Sequence, residues 1–105
     1  MNKPLVSNAF QAFMNEAPKH AKAWMEAVQK LDNASALDKK TEELAYIAVL
    51  AAAKLETGIP FHVKQAKAKG ASREEIISAV LVGLPAVGNV VTAALPIALE
   101  AYDNE

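Results

Sequence analysis

Sulfur chemistry is closed to this chain, because none of its 105 residues is cysteine. It can form no disulfide, no thiolate metal site and no covalent cysteine intermediate. Proton chemistry is open. Histidine is the side chain whose ordinary pKa, about 6.5, lies near working pH, and the chain holds His20 and His62. His62 stands beside Pro60 and Phe61 near a helix start, where an imidazole either moves protons or bonds a neighbouring carbonyl. His20 precedes an apolar stripe around Trp24 without a companion motif and reads as a surface or packing residue. Glu43 interrupts an otherwise apolar stretch. A buried carboxylate is costly unless paired, so Glu43 needs either a catalytic task or a partner, with Lys39, Lys40 and His62 as candidates. Neither His-x-x-x-His nor Glu-x-x-His occurs, so no metal site is expected. Lys64, Lys67 and Lys69 form a basic face that reads as a solvated helix end.

These residues must be positioned by helices. Alanine is abundant, strand-favouring runs are scarce, and apolar residues recur at helical spacing, so the expected fold is all-α and multi-helical. Ser7 caps a short helix carrying Phe10, Phe13 and Met14, and Pro18 opens a second with Ala21, Trp24, Met25, Val28 and Leu31 on one stripe. The chain is expected to turn at Asp32-Asn33-Ala34-Ser35. Asp38 caps a third, central helix that is apolar on every face and runs to Gly58, a residue suited to the left-handed C-terminal position. Pro60 starts a fourth helix that stops at Gly70. Ser72 and Glu75 form a capping box ahead of a fifth, with Ile76, Ile77, Val80, Leu81 and Leu84 buried. A break near Pro85 and a last helix from about Asn89 to Ala101, kinked at Pro96, complete the pattern.

Eleven basic and twelve acidic residues leave a net charge of -1, which offers phosphate backbones no pull, so nucleic acid is not an expected partner. Residues 76–99 carry no charge and are long enough to suggest a membrane span. Two prolines, two glycines and Asn89 divide them, no basic cluster flanks them, and burial between subunits is the simpler reading. The opening residues lack the apolar core of a secretory signal, so the expected setting is cytoplasmic. So short a chain buries only about two thirds of its unfolded surface. With a mean hydropathy of +0.10 it is expected to self-associate through uncovered helix faces. One domain spans residues 1–105, with N-terminal helices over 1–36 and a helical core over 37–102.

Leu37-Asp38-Lys39-Lys40-Thr41-Glu42-Glu43-Leu44, the alanine-rich helix after it, the corner from Leu55 to His62, and Lys69-Gly70-Ala71-Ser72-Arg73-Glu74-Glu75-Ile76 together resemble the carboxymuconolactone decarboxylase family, which includes the alkylhydroperoxidase D-like proteins. The likeness implies an all-helical fold assembled as a trimer or as a hexamer of three dimers. In the redox branch, a Cys-x-x-Cys pair sits at this corner. Leu55 and Gly58 occupy the two matching positions, whereas the matching histidine and glutamate are present as His62 and Glu43. Thiol-disulfide exchange needs a thiolate, so peroxidase or disulfide-reductase chemistry of that kind is excluded for this chain acting alone.

The decarboxylase branch also does without the cysteine pair, and Gly83-Leu84-Pro85-Ala86 is similar to its Gly-x-Pro-Ala element. That resemblance implies cofactor-independent, lyase-like acid/base chemistry on a small organic acid or lactone. His62 is the implied proton-transfer group and Glu43 its orienting partner, with Lys54 or Lys64 holding a substrate carboxylate and Glu56 also at the corner. The alternative is a non-catalytic member that binds a small molecule or protein in the vacated redox pocket. A third reading is a redox partner that borrows thiols from another chain.

Overall fold

A computed structural model describes residues 7–104, and the opening segment read above for a secretory signal lies outside them up to residue 6. The helices are α1 (Asn8–Glu16), α2 (Pro18–Ala34), α3 (Lys39–Ala52), α4 (Ile59–Ala68), α5 (Arg73–Leu81), α6 (Leu84–Val87) and α7 (Ala94–Asp103). Short 3-10 segments cover Glu56–Gly58 and Gly88–Ala93. No strand occurs among the described residues.

Local chemistry sets most helix starts. Ser7, Asp38 and Ser72 each accept a backbone N–H from the first turn of α1, α3 and α5. Glu75 closes the capping box by accepting the Ser72 N–H at 2.9 Å. Pro18 and Pro60 occupy first turns, where a missing N–H costs nothing. The chain leaves α2 at Ser35, the last residue of the expected Asp32-Asn33-Ala34-Ser35 turn.

The end of α3 departs from the sequence expectation. Gly58 has ordinary right-handed angles, and the left-handed residue is Lys54, at φ 61°. The Leu55 N–H reaches Leu50 O at 2.9 Å and the Lys54 N–H reaches Ala51 O, a Schellman ending whose left-handed residue comes before Gly58. The same pair of bonds ends α4, where Gly70 takes the left-handed place at φ 95°. Gly58 packs against Leu50, where a Cβ would make an ordinary 3.4 Å contact with a methyl. A side chain in the left-handed region costs about 1–2 kcal/mol, part of which glycine returns through its looser unfolded chain. Lys54→Gly is therefore expected to stabilise the protein by up to about 1 kcal/mol, read as a higher melting temperature. An unchanged or lower one would contradict this account.

Proline explains the later breaks as well. Its ring clashes with the carbonyl four residues back, which for Pro85 is Leu81, the last residue of α5. For Pro96 that residue is Thr92, so α7 begins at Ala94, after the 3-10 segment, with Pro96 in its first turn. The expected helix from Asn89 kinked at Pro96 is thus replaced by a shorter α7.

Four helices enclose the core: α3 packs on α4 and α5, and both of these pack on α7. Ile47, Ile59, Val63, Ile76, Val80 and Val91 are fully buried between them. One face of α3 is nevertheless open, with Tyr46 and Val49 exposed, so the helix is central without being covered all round. The α1–α2 hairpin packs chiefly on itself and leaves Trp24, Met25, Val28 and Leu31 exposed.

Residues Arg73–Asp103 are apolar and long enough by composition to cross a membrane. As one rod those 31 residues would separate their ends by about 46 Å. Instead α5 packs on α7, and Arg73 Nε donates to Asp103 Oδ1 at 2.9 Å. The segment is a closed hairpin of helices and no single span.

Candidate functional site

Glu43 lies one turn into α3, and His62 lies in the first turn of α4, just past the corner. Packing of α3 on α4 brings Glu43 Oε2 to 3.1 Å from His62 Nδ1. The two side chains are only 17% and 20% exposed. The lysines that compete for Glu43 in the sequence go elsewhere: Lys39 to Asp32 and Glu42, Lys40 to Glu75. An ionised carboxylate only accepts hydrogen bonds, so facing Glu43 the Nδ1 atom of a neutral imidazole carries the proton and Nε2 presents its lone pair. An imidazole held this way presents Nε2 as the atom that can exchange a proton.

Tyr46 is the residue the sequence reading missed. Its ring stacks on the imidazole with centroids 4.1 Å apart and planes 20° apart, while Phe61 meets the imidazole edge-on at 5.1 Å. The available signal was spacing: Tyr46 follows Glu43 by three residues, so one helix face presents both.

The other expected site residues are not drawn into this cluster. Lys54, Glu56 and Lys64 make no hydrogen bond or ion pair with Glu43 or His62. Lys54 is exposed at the left-handed turn, and Glu56 is half-buried in the 3-10 turn. Lys64 follows His62 by two residues, a rotation of about 200° that points it to another side of α4. Lys67 is more than a solvated charge, since its Nζ donates to Tyr102 O at 2.7 Å and lies over the Tyr102 ring.

A separate open groove of about 550 Å³ runs between α3 and α5, lined by Leu44, Ala45, Ala48, Ala79 and Val82 with Thr41, Ser78, Glu74 and Glu75 at polar points. Neither Glu43 nor His62 lines it, because helical spacing turns them to another face of α3 and to α4. At its edge, the Ser72 N–H and then Lys40 hold the Glu75 carboxyl below its ordinary range. The Glu43–His62 pair is therefore partly covered by aromatic rings and stands apart from this groove.

Comparison with known proteins follows the same lines. The sequence pattern of the carboxymuconolactone decarboxylase family matches residues 18–100, which takes in α2 as well as the core. The fold is similar to the crystal structure of an apo carboxymuconolactone decarboxylase family protein from Legionella pneumophila, with TM-score 0.76 and 27% identity over 90% of this chain and 85% of that one. No protein of curated function is similar enough to match. With the pattern spanning most of the chain and the helical architecture agreeing, the protein belongs to the carboxymuconolactone decarboxylase family.

Proposed function

We propose that the protein is a cofactor-independent acid/base catalyst of the decarboxylase type, acting on a small organic acid or lactone. The observation that carries this reading is the 3.1 Å contact of Glu43 with His62 Nδ1, which leaves Nε2 as the proton-transfer atom. In such a reaction the bond to the substrate carboxylate breaks and carbon dioxide leaves. The conjugated ring delocalises the electron pair left on the vacated carbon until that pair takes a proton from Nε2 of the imidazolium there. Water then returns a proton to the imidazole, so no redox partner is required. Lys54, Lys64 and Glu56 remain candidate substrate contacts within this reading, none of them bonded to the pair. A cytoplasmic setting completes it.

The test is a panel of carboxylated unsaturated lactones in deuterium oxide. Carbon dioxide release with deuterium at the vacated carbon is the expected result. Ligands that bind and return chemically unchanged would instead support a non-catalytic binding protein, a reading favoured by the apolar groove lying apart from the pair.

Self-association as a trimer or hexamer belongs to the same proposal. Its support is the exposed stripe of Trp24, Met25, Val28 and Leu31 on α2, whose contacts within the chain are mainly to α1. Light scattering is expected to give a multiple of the 11.2 kDa chain mass, falling toward one chain in Trp24→Glu/Leu31→Lys. A wild-type protein that runs as a single chain would remove this part.

A further inference from the structure

We propose that Tyr46 is a positioning residue for His62, holding the plane of the imidazole while Glu43 selects which of its edges faces inward. This rests on the acid/base reading above. Glu43 grips the imidazole at one atom, and a single hydrogen bond tolerates tilting of the ring plane about that contact. Tyr46 removes that freedom by lying flat on one face, at 4.1 Å and 20°, and Phe61 abuts it almost perpendicularly, at 87°. Because Glu43 and Tyr46 stand one turn apart on α3, a single rigid helix sets both the edge and the face of the imidazole. The Tyr46 hydroxyl makes no hydrogen bond among the described residues, so what it contributes to this site is the ring. Tyr46 is itself 48% exposed, so its removal leaves the buried core intact.

An aromatic pair contributes about 0.5–1.5 kcal/mol beyond area burial, equivalent to roughly a 2- to 12-fold change in the ratio of held to released imidazole. The experiment reads the His62 ring nitrogens by nitrogen-15 magnetic resonance in the full chain, with thermal melts confirming that each variant is folded. The wild type is expected to show the proton on Nδ1. In Tyr46→Ala and Tyr46→Leu the Nε2-protonated form should gain by that factor, because leucine restores bulk without a flat face. Tyr46→Phe should match the wild type. Retention of the wild-type tautomer in the alanine and leucine variants overturns the proposal, as does a phenylalanine variant that behaves like alanine. Glu43→Gln separates the two levels. Release in Glu43→Gln without release in Tyr46→Ala sinks only the role of Tyr46, whereas an unchanged tautomer in Glu43→Gln sinks the acid/base reading beneath it.

Discussion

His62→Gln is expected to lower the rate of carbon dioxide release by about 10²–10⁴-fold, the range in which a positioned proton-transfer group operates. Glutamine is close to histidine in size, and its amide can still donate to the Glu43 carboxylate, so the corner should keep its shape. What it lacks is a nitrogen that takes and returns a proton near neutral pH. Glu43→Gln should also depress turnover while leaving the protein folded. An amide can donate as well as accept, so it no longer holds the ring through an Nδ1 proton, and part of the population has Nε2 turned away from the place where its proton must be delivered. Since the two side chains act as one unit, the double variant should be little worse than His62→Gln alone, short of the product of the single losses. Rates measured beside thermal melts decide the matter. Full activity in both single variants would remove the mechanism, and parallel losses of activity and folding would reduce the pair to a structural contact.

The largest loss of stability is expected at Ile59, which is fully buried as the first residue of α4 and precedes His62 by one turn. Ile59→Ala should destabilise the protein by about 2–5 kcal/mol, from lost transfer energy plus the cavity left behind. Ile59→Val should cost about 0.5–1.5 kcal/mol. For a domain with about 5–15 kcal/mol in total, the alanine variant consumes a large share of the margin. Denaturant titration of both variants is the measurement, and it needs the graded order to hold. A loss under about 1 kcal/mol in the alanine variant would mean that the corner collapses around the gap and that Ile59 does not anchor α4. The valine variant keeps most of the packing and should retain most of the turnover, which separates anchoring of the helix from chemistry at His62.

What was legible beforehand was whatever one or two helical turns decide. Ser7, Asp38, and the Ser72 and Glu75 pair satisfy backbone donors within three residues of themselves, so their helices start where the residue types say. Pro18 and Pro60 act through their own rings. The absence of cysteine excludes thiol chemistry without any coordinates. Glycine, by contrast, was a misleading guide at the corner. Gly58 looked like the end of α3 because it tolerates left-handed angles, but the place is taken by Lys54, and Gly58 has ordinary right-handed angles.

The site shows the same division. Residue types and family likeness pointed to Glu43 and His62, yet Glu43 had three chemically acceptable partners until packing drew Lys39 to Asp32 and Lys40 to Glu75. Tyr46 gained meaning only when α4 laid the imidazole against it. The uncharged run, long enough for a span but divided by proline and glycine, folds back on itself where Arg73 meets Asp103. Composition, capping and the helical class were thus settled by the chain itself, through forces reaching no further than about a turn. The Glu43–His62 contact, the stacking of Tyr46 on it and the closed hairpin were settled by helix packing, because each joins residues far apart in sequence whose separation no local preference controls.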